Sequence, residues 1–224
     1  MRAGGGTSPQ AVEALEDLCR TYWPPLYAYV RRNGREMHEA EDLVQEFFAR
    51  LLKKDYLGHA DPARGRFRTF LLSSLKNFLT NDWRHAHREK RGGGRAVLSL
   101  DAHSAEVEFL RELADGATPD RVYERCWATT LLERVLVQLG TEYSDNGSSA
   151  LFDQLKVLVW GHQNTKTYSD VAALLGMSEG AVKVAMHRLR QRFRNALRAE
   201  IAKTVATPAE VDEELRHLIR VMSG

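Results

Sequence analysis

Residues Tyr168-Ser-Asp-Val-Ala-Ala-Leu-Leu-Gly-Met-Ser-Glu-Gly-Ala-Val-Lys-Val-Ala-Met-His-Arg-Leu-Arg190 decide how this chain is read. Val171, Leu174 and Leu175 recur at helical spacing and give a first short helix its apolar side. Gly176 stands where the chain must turn sharply, and glycine enters the left-handed region without a Cβ penalty. Ser178 then N-caps a second helix, its hydroxyl placed to accept from a backbone amide of the first turn. Val182, Met186 and Leu189 dock that second helix on the first. Lys183, Val184, His187, Arg188 and Arg190 are left on the solvent side. This is a helix-turn-helix. Side chains near the start of its second helix reach base edges in a major groove, while flanking Lys and Arg hold phosphates. An ordinary helical hairpin with a basic outer face is the competing reading. The turn glycine followed by an N-cap favours DNA binding.

Upstream, the strongest amphipathic segment runs from about Met37 to Lys54. At 100° per residue, Ala40, Leu43, Val44, Phe47, Phe48 and Leu51 share one face. Asp42, Gln45, Glu46, Ala49 and Lys53 form the opposite one. A loop, Asp61-Pro-Ala-Arg-Gly-Arg66, leads into a helix expected from Phe67 to Glu89. Leu71, Leu72, Leu75, Phe78 and Leu79 make its buried side, with Ser73, Asn77, Thr80, Asn81, Arg84 and Arg88 facing away. Before these, a helix from Ala11 into Tyr22 should kink or restart at Pro24-Pro25 and close at Asn33-Gly34. Lys90-Arg-Gly-Gly-Gly-Arg95 breaks the pattern and opens a connector. Beyond it, helices are expected over Tyr123–Leu139 and Ala150–Trp160, separated by the polar loop Asp145-Asn-Gly-Ser-Ser149. A tail helix capped by Thr207-Pro208 should place Val211, Leu215, Leu218 and Ile219 on one side. No strand pattern competes. The fold class is all-α: two small helical domains joined by a flexible linker, the second holding the helix-turn-helix. The expected organisation is a disordered 1–10, a first domain over 11–95, a linker over 96–121, a second domain over 122–200 and a tail helix over 201–224.

The charge pattern agrees with two anchor points on a polyanion. Net charge is only +2, yet nine Lys/Arg face two Asp/Glu between Arg64 and Arg95, and six face one between Ser178 and Arg198. Between these islands, Ser99 to Asp120 is acidic, with six carboxylates against Arg111 alone. The two cysteines, Cys19 and Cys126, are far apart and lack metal-ligand spacing, which fits a reducing cytoplasm. No apolar run approaches the ~20 residues that span a bilayer, so no membrane insertion is expected.

The segment Glu39-Ala-Glu-Asp-Leu-Val-Gln-Glu-Phe-Phe-Ala-Arg-Leu-Leu52 resembles the helix by which bacterial sigma factors bind the β′ clamp helices of RNA polymerase. Phe67-Arg-Thr-Phe-Leu-Leu-Ser-Ser-Leu-Lys-Asn-Phe-Leu-Thr-Asn-Asp-Trp-Arg84 resembles the next helix of that family, which engages the −10 element. Gly180 to Arg190 is similar to the −35 recognition helix of the extracytoplasmic-function (ECF) group. The resemblance covers about Ala11 to Ile201, in the family's order. It implies that 11–95 is sigma region 2 and 122–200 is sigma region 4. It further implies that Asp42, Gln45 and Glu46 contact the polymerase clamp, and that Arg66, Arg68, Asn77, Arg84 and Arg88 line the −10 strand. Lys183, Val184, His187 and Arg188 match the −35-reading positions, flanked by Ser178 and Arg190. The implied partners are core RNA polymerase, through its β′ clamp helices and β flap, promoter DNA, and an anti-sigma factor or regulatory kinase. Three departures stand out: the expanded loop at 144–149, Val184-Ala185 where the family often carries a polar residue, and a tail after Thr204 that exceeds the minimal architecture and is expected to pack on the second domain rather than to regulate it.

Enzymatic readings fail on geometry. His85 and His87, two apart on a helix, diverge and cannot share a metal. Glu39, Glu41, Asp42 and Glu46 scatter around their helix with no basic or histidine partner to complete a two-metal site. Gly92-Gly-Gly94 lacks the Lys-Ser/Thr and the preceding strand of a phosphate loop. No catalytic residue, cofactor or metal is therefore expected. The alternative function is a self-sufficient helix-turn-helix regulator, which has no use for a carboxylate face on the Met37–Lys54 helix.

Overall fold

The 37–54 segment folds as its periodicity dictates. In the computed structural model, which describes residues 9–53, 66–86, 105–106, 116–159 and 166–223, Ala40, Leu43, Val44, Phe47, Phe48 and Leu51 are all buried. This helix is α2 (Met37–Lys53), lying between α1 (Pro9–Arg32) and α3 (Phe67–Ala86). Its apolar face meets theirs through aromatic rings. Trp23 of α1 stacks on Phe48 with centroids 6.0 Å apart, and Phe47 meets Phe78 of α3 at 5.8 Å. Leu71, Leu72, Leu75 and Phe78 fill the α3 side. The second half contributes α4 (Pro119–Asp145), α5 (Ser149–Val159), α6 (Tyr168–Leu175), α7 (Glu179–Ala202) and the tail helix α8 (Pro208–Ser223). Among the described residues there is no strand, and no helix is long and apolar enough to cross a membrane.

Three expectations are corrected. Helix α1 does not restart at Pro24-Pro25 but runs through both. Each proline withdraws one backbone donor from the helix ladder. Burial of Trp23, Leu26, Tyr27 and Val30 around them holds the axis together. Helix α4 begins earlier than Tyr123, because Thr118 accepts from the Arg121 amide and Pro119 takes the first helical position. It also ends later, at Asp145, where Gly147 at φ 66° lets the chain turn. In the tail, Thr207 caps as expected, its amide and that of Ala206 each donating to the Glu210 carboxylate at 2.8 Å. The tail's buried face is rotated, however. Val211 and Leu218 go in with Glu214, while Ile219 is 61% exposed.

The two halves do not stand apart. Helices α1 and α4 lie against each other along most of their lengths, and one apolar cluster runs from Cys19 to Leu218 through both. Small side chains make the close approach possible: Ala28 of α1 meets Val122 and Cys126 of α4, all three fully buried. Polar ties flank this seam. Arg32 donates to the Ala117 carbonyl at 2.8 Å, Lys76 pairs with Asp120, and Arg134 reaches Asp17 at 3.4 Å. Glu106, from the acidic connector, is held by Arg31 at 2.7 Å and by the Tyr27 hydroxyl at 2.6 Å. The hydrogen bond from Arg31 keeps the Glu106 carboxyl below the usual carboxylate range, against the effect of its burial. Residues 119–121 of the expected linker belong to α4, while 96–104 and 107–115, and the 1–8 segment, lie outside the described residues.

Candidate polymerase and nucleic-acid interface

Helix α2 turns its carboxylates outward. Asp42 and Glu46 are exposed and Gln45 is half-buried, because the six apolar residues opposite them claim the core side. Glu46 pairs with Arg50 one turn on, and the Arg50 guanidinium lies 4.9 Å above the Phe78 ring of α3. Glu39 pairs with Arg35 at 2.6 Å. Asp42 has no ion pair or hydrogen bond among the described residues. It is the acidic group at the centre of this face that is left for something else.

The helix-turn-helix is built from α6 and α7. Thr167 and Asp170 form a full capping box at the start of α6, with the Thr167 amide donating to Asp170 at 2.7 Å. That bond holds the Asp170 carboxyl below its ordinary value. Gly176 closes α6 at φ 62°, and Ser178 caps α7 by accepting from the Ala181 amide at 3.2 Å. Val182, Met186 and Leu189 are buried against the first helix, as their spacing requires. One apolar position differs: Leu174 is 60% exposed and Ala172 takes its place inside. The short α6 turns only one side to α7, and Val171, Ala172 and Leu175 lie on that side. On the outer face of α7, Ser178, Lys183, Val184, His187, Arg188 and Arg190 are all exposed. Lys183 pairs with Glu179 one turn back at 2.7 Å, and Arg188, Arg190 and His187 stand exposed beside it. Behind them, Arg192 pairs with Glu142 and lies 4.8 Å over Tyr143, fixing α7 on α4.

The start of α3 departs from expectation. Asn77 is exposed, as its face predicts. Arg68 is only 5% exposed and points inward. Its Nε donates to Glu214 at 2.7 Å, its Nη1 pairs with Glu124, and its guanidinium lies 5.1 Å from the Trp127 ring centre. Burial pulls the Arg68 pKa down, but the Glu214 hydrogen bond and the two carboxylate charges outweigh it and keep the group above its ordinary value. Arg66 is half-buried and pairs with Glu214 and, at 3.0 Å, with Glu213. Neither arginine faces solvent freely in this conformation. Arg84 lies within α3, but its side chain is outside the described residues, as are Arg88 and the loop preceding Arg66.

The sequence reading missed the acidic partners of this cluster. Glu124 also accepts from the His217 ring at 2.7 Å, and the Tyr123 hydroxyl donates to the Arg68 carbonyl at 2.9 Å. One signal for Glu214 was present. It stands three residues after Val211 and four before Leu218, on the apolar stripe of α8. A carboxylate in such a place needs a cation across the interface.

Comparison with known proteins places these surfaces in a family. Residues 18–89 match Sigma-70 region 2, the span that holds α2 and α3. The ECF RNA polymerase sigma factor SigW of Bacillus subtilis is 26% identical over 190 residues, covering 83% of this chain and 90% of SigW. The ECF RNA polymerase sigma factor SigE of Mycolicibacterium smegmatis is 23% identical over 194 residues, covering 87% of this chain. The chain spans 65% of the length of SigE, a little under two thirds. No solved structure matches. A region 2 match around the bifacial α2, together with two ECF relatives aligned along most of the chain, supports an RNA polymerase sigma factor of the extracytoplasmic-function group.

Proposed function

We propose that the protein binds core RNA polymerase and directs promoter-specific initiation, reading a −10 element with its first half and a −35 element with its second. In this reading 11–95 is sigma region 2, 96–121 a linker, 122–200 sigma region 4 and 201–224 an appended tail. The chain is itself no catalyst and works in the cytoplasm, where the polymerase is. Asp42, Gln45 and Glu46 contact the β′ clamp helices, and the 144–149 turn region lies toward the β flap. Arg188, His187, Val184 and Lys183 read the −35 bases, with Ser178 and Arg190 at the phosphates. Arg66, Arg68, Asn77, Arg84 and Arg88 serve the −10 strand, which a basic groove holds once the duplex separates. An anti-sigma factor or a kinase restrains it.

The observation that carries this reading is the two-sidedness of α2: six buried apolar residues on one side, and on the other an exposed Asp42, without a partner among the described residues, between Gln45, Glu46 and Glu39. A free-standing regulator has no need of that outer face. Its test is the full-length Asp42→Lys variant. Reversing one exposed charge leaves the fold intact, since surface changes away from packing stay within about ±0.5 kcal/mol. Core-polymerase binding and run-off transcription are expected to disappear with an unchanged circular dichroism spectrum. Transcription that persists at the wild-type level removes the clamp contact from α2.

A further inference from the structure

We propose that helix α8 is an internal latch: Glu213 and Glu214 occupy the guanidiniums of Arg66 and Arg68, so the start of α3 is open to a DNA strand only after α8 has left. The proposal rests on the sigma-factor reading above and concerns how the −10 surface of that reading is controlled.

The network joins three helices. Glu214, 2% exposed, takes Arg68 at 2.7 Å and also pairs with Arg66. Glu213 takes Arg66 from the solvent side at 3.0 Å. Arg68 turns its remaining nitrogen to Glu124 of α4, and Glu124 is joined back to α8 by His217 at 2.7 Å. Two carboxylates on consecutive residues thus face two guanidiniums at the start of α3. A single strand offers the same chemistry, two adjacent anionic groups, to the same donors. The two occupants exclude each other.

The same contacts keep the halves shut. Arg68 is tied to α4 through Glu124 and through the Tyr123 hydroxyl at its own carbonyl, so α3, α4 and α8 are held by one cluster. The hold is releasable by construction. The buried apolar residues of α8 are Val211 and Leu218, with Leu215 and Val221 half-buried against the core, while Ile219 and Met222 remain exposed. Ionic contacts share with this narrow apolar stripe in orienting the helix. A buried ion pair nets little over two solvated ions, because desolvation opposes the attraction. Exchanging Glu214 for a phosphate and a hydrated carboxylate is accordingly close to balanced, and the strand itself, presented on the polymerase, tips it.

The experiment compares full-length wild type with Glu214→Gln, each on core polymerase, binding a single-stranded −10 oligonucleotide. Gln keeps the shape and one acceptor but removes the charge. The variant is expected to bind about tenfold more tightly, an ordinary coupling between two sites. In parallel, hydrogen–deuterium exchange over residues 208–223 of the wild type is expected to speed up when the polymerase–promoter complex forms. A folded Glu214→Gln that binds no tighter overturns the latch, and so does an α8 whose protection is unchanged in the promoter complex. If Glu214→Gln fails to fold, the wild-type exchange measurement decides alone. Failure of the wild type to bind core polymerase overturns the sigma reading first and the latch with it.

Discussion

A guanidinium removed from water is tolerable only where its donors are met, and Arg68 shows how completely that can be done. Two carboxylates and an aromatic face meet its guanidinium, and a buried tyrosine hydroxyl donates to its carbonyl, from positions 55 to 146 residues away. Removing one partner of such a cluster leaves the other charged and stranded. Arg68→Ala should therefore lower the unfolding free energy by ~3–5 kcal/mol, whereas Arg68→Met with Glu214→Leu, which removes both charges, should recover most of that loss. Urea denaturation of the three proteins checks this, and a double variant as unstable as the single one would mean that the ion pair stabilises in its own right. The same residue marks the limit of what sequence shows. A basic residue in a basic run reads as surface, and nothing within a helical turn of Arg68 announces that Glu214 will come to meet it. Asp42, by contrast, was legible, because its exposure follows from the six apolar residues on its own helix.

At the scale of elements, legibility followed the strength of local signals. Helix α2 matched its periodicity at every apolar position, and α7 was placed by a glycine and a serine in succession. Helix α8 was found, but its orientation was misread, since Ile219 looks like a core residue and Glu214 does not. A partner on α3 reversed the two. The proline pair in α1 misled for a related reason: local breaker chemistry was outweighed by burial of the residues around it. The turn of the helix-turn-helix permits a direct test of the local signal. At φ 62°, Gly176 has open space where a Cβ would project, so substitution there strains the backbone without causing a clash. Gly176→Ala should thus destabilise by ~1–2 kcal/mol, the ordinary cost of the left-handed region for a residue with a side chain. A lowered thermal midpoint with unchanged helix content is the expected readout. An unchanged midpoint would mean that the turn relaxes to another geometry and does not set the angle between α6 and α7.

At the scale of the whole molecule, the two halves are held against each other along α1 and α4. Two kinds of contact share the seam. Ala28, Val122 and Cys126 are fully buried against one another, and Tyr22 and Trp127 extend that contact along α1 and α4. Lys76–Asp120 and Arg134–Asp17 lie at its edge, each with a partner about half exposed. Exposed pairs contribute little and fade as salt rises, because the screening length falls from ~10 Å at 0.1 M to ~3 Å at 1 M. Apolar burial does not fade under those conditions. The buried Arg68 cluster is screened far less than the rim. Small-angle scattering of the free chain across that salt range should therefore show a constant radius of gyration. A chain held shut by its surface charges alone, basic islands against acidic connector, would instead swell as the salt rose. The two outcomes separate a seam built by packing from one built by charge. Only the first requires the polymerase to insert itself between α1 and α4 rather than to outbid their charges.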